Sequence, residues 1–206
     1  MCFHVASNIP KSDIKIIFDA EYVGPHYEGL NFINGFSFPK VPITMDESKT
    51  EAILGDWGLI PFWAKDRNIQ KATLNARIET LDEKPSFKNS INKRCLVLVN
   101  GFYEWKWLDP KGKDKQRYFI QLDSDDIAFA LGGIYNQWID KTTGEELTSF
   151  SIVTTDANDL MAEIHNTKHR MPIILTKQAR DAWLSDINYK EFAYPNYNPK
   201  LRARVM

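Results

Sequence analysis

Residues 95–105 read CLVLVNGFYEW, and this stretch decides the fold class. Its first part, within RCLVLV, is a short unbroken apolar run of the kind that forms a buried strand, which makes Cys95 a core thiol. In its second part strand alternation sets Glu104 opposite to both Tyr103 and Trp105. Similar strand-like runs lie on either side: AILGDWGLI at 52–60, RYFIQLD at 117–123, IAFALGGIY at 127–135 and TSFSIVT at 148–154. Helical patterns fall between and around them. These are DIKIIFDAEY at 13–22, residues 75–83, SFKNSINK at 86–93, NDLMAEIH at 158–165, and KQARDAWL at 177–184 with Thr176 as N-cap. Residues 24–42, rich in Gly, Pro, Asn and Phe, read as an irregular loop. Strands and helices do not alternate regularly, and no glycine-rich phosphate loop follows a strand. The expected class is therefore α+β, a mixed or antiparallel, barrel-like β core with peripheral helices.

At 206 residues, with no repeat and no linker long enough to divide it, the chain is expected to form a single domain over 1–206. Its 43% hydrophobic and 26% charged residues are those of a globular protein. No apolar run is long enough to span a bilayer, and MCFHVASNIPKSD has no basic-then-apolar leader. A soluble cytoplasmic protein with no membrane partner is the expectation. A net charge of −1 argues against coating nucleic acid by charge alone, so any DNA-binding face must concentrate its basic side chains. Two cysteines are too few for a disulfide framework. His4, His26, His165 and His169 make no zinc spacing with them, so neither metal nor cofactor is expected.

Four clusters carry chemistry, each with a plainer alternative. Removal of Met1 would leave Cys2 with a thiol and a free α-amine on adjacent carbons. Their reference pKa values, about 8 for the amine and about 8.5 for the thiol, make both partly nucleophilic at neutral pH. A 1,2-aminothiol condenses with an aldehyde to a Schiff base and closes to a thiazolidine; the plainer reading is a small residue at a frayed end. In LNARIET, Asn75 at a helix start and the Arg77 fork suit an anion, against a capped, solvated helix face. In NGFYEWKW, Glu104 between aromatics suits general acid–base work if desolvated, against an exposed glutamate. In EIHNTKHRMPIIL, His165, Lys168, His169 and Arg170 precede an apolar strand, either as a proton-shuttling site or as a basic connecting loop.

Cys2, the NAR of Asn75–Arg77, the GFYEW ending at Trp105 and HNTKHRMP together resemble the SRAP (SOS-response-associated peptidase) family, with support from WGLIPFWAKD at 57–66 and LGGIY at 131–135. The resemblance runs from Cys2 to about Leu175. It implies a barrel-like core with helices outside, a DNA groove across one face, and recognition of abasic sites in single-stranded DNA through a covalent thiazolidine on the mature Cys2. By the same resemblance Cys2 is the nucleophile, Asn75 positions the opened sugar and the amine, and Glu104 is the acid–base group. His165 stabilises or protonates the sugar oxygen, and Arg77 and Arg170 hold flanking phosphates. Family members are also credited with removing their own N-terminal peptide. Two departures stand out: Phe3 and His4 replace the usual Gly-Arg, and three extra residues separate His165 from Arg170, which leaves His169 as the alternative histidine.

Lys168, and with it Lys65 and Arg67, would share the DNA face with these arginines, making capture salt-dependent. Trp63, Phe62 and Phe38 are candidates to stack on bases, whereas Trp57 reads as core. The protein is expected to act as a monomer and a single-turnover crosslinker. Two other readings stay open: an N-terminal-nucleophile cysteine hydrolase or peptidase, and a non-covalent single-stranded DNA-binding module.

Overall fold

A computed structural model describes residues 2–206. In chain order the first strands are β1 (His4–Ser7), β2 (Glu21–Tyr22), β3 (Leu30–Asn34), β4 (Lys40–Met45), β5 (Ser48–Trp57), β6 (Asn75–Arg77) and β7 (Arg94–Val99). The rest are β8 (Gly101–Trp107), β9 (Lys115–Leu122), β10 (Phe129–Ile139), β11 (Glu146–Asp156), β12 (Arg170–Pro172), β13 (Ile174–Leu175) and β14 (Leu201–Val205). Three α-helices accompany them: α1 (Lys11–Phe18), α2 (Asp159–Ile164) and α3 (Lys177–Trp183).

Strands β5, β4, β7, β10 and β11 pair in that order, and β11 returns to β5 in parallel register, Ser149 opposite Asp56 and Phe150 opposite Trp57. That last pairing closes the sheet into a five-stranded mixed barrel, the core that the sequence pattern predicts. The run at 94–99 shows why it is apolar throughout. Cys95, Val97 and Val99 enter one core cluster, while Leu96 and Leu98 enter a second that includes Ile14 and Phe18 of α1 and Trp183 of α3. Both faces of β7 are thus buried, one inside the barrel and one under helices. Glycine permits the tight interior, since a Cβ at Gly55 would stand 2.7 Å from Ile43 Cδ1 and one at Gly133 2.8 Å from Cys95 Sγ.

The single stretch 95–105 serves two sheets. After Val99 the chain steps through Asn100 out of the barrel, and β8 joins a five-stranded sheet ordered β14-β9-β8-β1-β3. Phe102 points into the core, whereas Tyr103 and Trp105 cluster with Ala6 and Phe119 on the sheet's outer face. Cys2, just ahead of β1, is therefore carried to the seam between the sheet and the barrel.

Several local expectations are overturned. Residues 75–83 are not a helix: Asn75–Arg77 pairs in parallel with Ile152–Thr154 of β11, followed by a 3-10 turn at Ile78–Thr80. A long-range ladder here overrides local helical preference. Residues 86–93 hold only the 3-10 turn Lys88–Ser90, and the expected loop at 24–42 contains β3 and the start of β4. Helix α1 stops at Phe18 because Asp19 takes a left-handed conformation, φ 55°, and β2 follows. Among the described residues no helix is long and apolar enough to cross a membrane.

Candidate active site

Cys2 is fully buried, its Sγ 4.0 Å from the carbonyl oxygen of His4. Burial foremost, and the nearby Glu104 next, push its thiol far above the usual range, so the sulfur is held protonated. The release of Met1 expected from the sequence concerns a residue outside the described ones.

Asn75 reaches Cys2 from the parallel pairing of β6 on β11. Its Nδ2 donates to the Cys2 carbonyl at 2.9 Å, which assigns the amide orientation. Its Oδ1, also buried, has no hydrogen-bond partner among the described residues. Glu104 lies on β8 and is 6% exposed. Desolvation raises its carboxyl from 4.5 to about 7, so at neutral pH it populates both protonation states. His165 follows α2 as its C-cap and is 7% exposed, with Nε2 3.9 Å from Glu104 Oε2. Its Nδ1 lies 2.8 Å from the carbonyl oxygen of Arg170. The Arg170 N–H lies 3.3 Å from the same nitrogen, but the shorter contact is to a carbonyl, which only accepts, and this assigns the proton to Nδ1 and a lone pair to Nε2 on the Glu104 side. Desolvation lowers this imidazole from 6.5 to about 4, so it is neutral at physiological pH.

The end of α2 is fastened to β8 by a residue that sequence reading passed over. Asn166 accepts from the Trp107 N–H at 3.1 Å and donates to the Trp107 carbonyl at 2.9 Å. Lys106 and Glu163 add an ion pair at 2.6 Å. Such side-chain clamping of backbone across a long sequence separation leaves no local signal.

Glu104 and His165 face an open cleft of about 460 Å³ lined also by Phe3, His4, Trp105, Trp107, Lys115 and Lys168. His4, half-buried, packs against Trp105 at 4.8 Å and Phe32 at 5.1 Å between ring centroids, and burial lowers its pKa. The other expected residues are dispersed. Lys168 is exposed on the cleft wall; Arg77 is exposed and pairs with no described carboxylate. His169, exposed at φ 50°, does not line the cleft.

Arg170 is the main departure from expectation. It is buried, and its guanidinium donates to Glu79 at 2.9 and 2.8 Å, to Asp156 at 2.6 Å and to the Thr154 carbonyl at 2.9 Å. With both terminal nitrogens so engaged, and Nε buried without a partner among the described residues, it braces β12 against β11 and is turned away from any phosphate at the surface. Trp63 is 46% exposed, its indole donating to the Pro85 carbonyl at 3.3 Å, and Phe62 is exposed beside it. Lys65 is exposed, Arg67 pairs with Glu145 at 2.6 Å, and Phe38 is partly buried against the core. Trp57 is fully buried, and so is Cys95. Among the described residues no group of three or more His, Cys, Asp or Glu side chains could hold a metal ion.

Residues 1–200 match the family model described as SOS response associated peptidase (SRAP). The abasic site processing protein YoqW of Bacillus subtilis is 47% identical over 133 residues, 64% of this chain and 56% of the relative. The abasic site processing protein HMCES of Gallus gallus is 35% identical over 167 residues, 69% of this chain and 48% of the relative. The chain thus spans about half the length of the curated relatives it matches. A crystal structure of a protein from Bacteroides thetaiotaomicron superposes with a TM-score of 0.87 at 36% identity, covering 100% of this chain and 92% of the other.

Proposed function

The chain belongs to the SRAP family, and from that membership and the cleft just described we propose that it processes abasic sites in single-stranded DNA by covalent capture on Cys2. One observation carries the reading: Asn75 grips the Cys2 carbonyl at 2.9 Å while Glu104 and His165, brought in from β8 and α2, stand 3.9 Å apart at the same seam. Every group the chemistry requires comes from one chain, so a monomer suffices, and residues 1–206 act as one domain.

The proposed sequence begins when Met1 is removed and the Cys2 α-amine is exposed. Glu104 in its protonated form gives a proton to the ring oxygen of the abasic sugar and takes back the proton of the anomeric hydroxyl, so the ring opens to the aldehyde with no net proton change and Glu104 is free to ionise again to solvent. As carboxylate it takes a proton from the α-ammonium, whose remaining N–H donates to Asn75 Oδ1. The amine adds to the aldehyde carbon, the hydroxyl leaves as water with a proton from Glu104, and a Schiff base forms. The Cys2 sulfur then adds to the imine carbon, its proton passing to the imine nitrogen by way of Glu104, and a five-membered thiazolidine closes. One water is lost and nothing is oxidised or reduced. With its pKa near 4, His165 serves as the hydrogen-bond acceptor that orients a sugar hydroxyl, not as the proton donor. The product stays on Cys2, so each molecule acts once.

Mass spectrometry of the protein after incubation with an abasic single-stranded oligonucleotide tests this. The expected species survives denaturant, carries protein and DNA minus one water, and maps to Cys2; Cys2→Ala gives none. An adduct undiminished in Cys2→Ala, or repeated amide hydrolysis in place of any adduct, overturns the proposal.

A further inference from the structure

A second cleft, of about 530 Å³, lies on the outer face of the five-stranded sheet and takes no part in the chemistry above. Its floor is aromatic: Tyr103 and Phe119 sit 4.9 Å apart, and the Phe119 ring lies across Gly101, where a Cβ would come within 2.3 Å of it. Arg204 covers the Phe119 ring and Arg117 the Tyr103 ring, each 5.7 Å from the centroid. Arg202 stands two residues from Arg204 on the same face of β14. Arg117, Arg202 and Arg204 are all exposed, and none pairs with a described carboxylate. The carboxylates of Asp125 and Asp126 also line this cleft. Two amide groups there remain available among the described residues: Asn31 Nδ2, whose Oδ1 accepts from Asn8, and Gln121 Oε1, whose Nε2 donates to the Asn100 carbonyl.

We propose that this face holds the single strand flanking the abasic nucleotide, with a base stacked on the Arg204 guanidinium and phosphates on Arg117 and Arg202. The assignment rests on the capture reading for its ligand and on three observations for its place. Unpaired arginines over aromatic rings match the anionic, flat-faced chemistry of a single strand. A free donor and a free acceptor suit the edge of a base. The surface is also continuous with the Cys2 cleft. Tyr103 packs against Phe32 at 5.1 Å and Phe32 against His4 at 5.1 Å, both tilted, and His4 meets Trp105 edge-to-face at 4.8 Å, so an aromatic ridge joins the two. From Cys2, just ahead of β1, to Ala6, which lines the second cleft, an extended chain covers at most about 13 Å at the ordinary strand rise. Asp125 and Asp126 repel a backbone, which directs the phosphates toward the Arg117 edge.

The test is the salt dependence of binding to an unmodified single-stranded oligonucleotide, read by fluorescence anisotropy. Each phosphate contact contributes about 0.7 to the slope of log affinity against log salt, so Arg117→Ala with Arg202→Ala lowers that slope by about 1.4. Arg204→Lys keeps the slope and weakens binding at every salt concentration, because the stacked plane is lost while the charge stays. All three residues are exposed, and circular dichroism of the variants checks that the fold is kept. An unchanged slope in the double variant, with abasic DNA still captured at the wild-type rate, overturns this surface and leaves the capture reading intact. A wild-type protein that binds with the full slope but forms no adduct overturns the capture reading and leaves the surface standing.

Discussion

Two buried polar clusters sit side by side in this protein, joined by the 2.8 Å contact between His165 Nδ1 and the Arg170 carbonyl. On one side the Arg170 guanidinium is matched by two carboxylates, Glu79 and Asp156, and by the Thr154 carbonyl. On the other, Glu104 and His165 are both forced toward their neutral forms by desolvation. A buried charge with opposite charges around it stays charged and becomes a brace. Burial instead leaves Glu104 titrating near neutrality, where it can give and take a proton, and His165 neutral beside it as a hydrogen-bonding partner. Charge content alone does not separate a structural cluster from a chemical one; the completeness of its ionic partners does.

The sharpest way to break this contrast is to damage each cluster in turn. In the brace the carboxylates are the exposed members, with side chains 39% and 69% accessible, while Arg170 is 4% accessible. Glu79→Gln with Asp156→Asn therefore strands a buried cation and is expected to cost about 3–5 kcal/mol of folding stability. Arg170→Met leaves carboxylates that water can reach and costs less. Urea unfolding of the two variants checks the order; the reverse order would deny Arg170 its role as a brace. Glu104→Gln leaves folding stability nearly unchanged at acid pH, where the native carboxyl is already neutral, and slows capture by about 10²–10⁴-fold.

The next effect is smaller and concerns pH. The Glu104 pKa is raised from 4.5 to about 7, so its contribution to stability is complete below 4.5 and declines as pH rises toward 7. The His165 pKa is depressed from 6.5 to about 4, so its contribution is complete above 6.5 and declines as pH falls toward 4. Between pH 4.5 and 6.5 the two slopes oppose each other and nearly cancel. Removing one partner uncovers the other. Relative to wild type, the stability of Glu104→Gln should climb with pH across this window by up to about 1.4 kcal/mol per unit, and that of His165→Gln should fall by a similar amount. Parallel pH profiles for all three proteins would mean that neither group has a shifted pKa.

The same contrast explains how far the sequence could be read. The run at 94–99 announced a buried strand, and alternation through Phe102-Tyr103-Glu104-Trp105 set Glu104 apart from its aromatic neighbours. Both are local patterns with a fixed period. Residues 75–77 misled because their partners in β11, Ile152–Thr154, lie 77 residues onward, and a parallel pairing leaves no periodic mark on a three-residue strand. Arg170 misled for a related reason. A basic residue in a helix-to-strand connection looks like a phosphate contact, and only its burial beside Glu79 and Asp156 reveals the brace. Asn166 escaped notice altogether, since its role depends on Trp107, 59 residues away. Glu104 and His165 meet at the junction of elements far apart in the chain, where folding decides which side chains come together.

The mildest prediction compares the two arginines that sequence reading treated alike. Arg77 is on β6, exposed and without an ion pair among the described residues, whereas Arg170 lies buried on β12, which also pairs with β11. Arg77→Ala removes a solvated charge and leaves no buried group unmet, so its effect on unfolding should stay within about 0.5 kcal/mol. If Arg77 holds a phosphate, the same substitution lowers the salt slope of single-strand binding by about 0.7 and weakens every sequence alike. Arg170→Met, by contrast, should move stability and leave the slope untouched, because its guanidinium never meets solvent. A slope that falls with Arg170→Met and holds with Arg77→Ala would invert the assignment and mean that the brace opens when DNA binds.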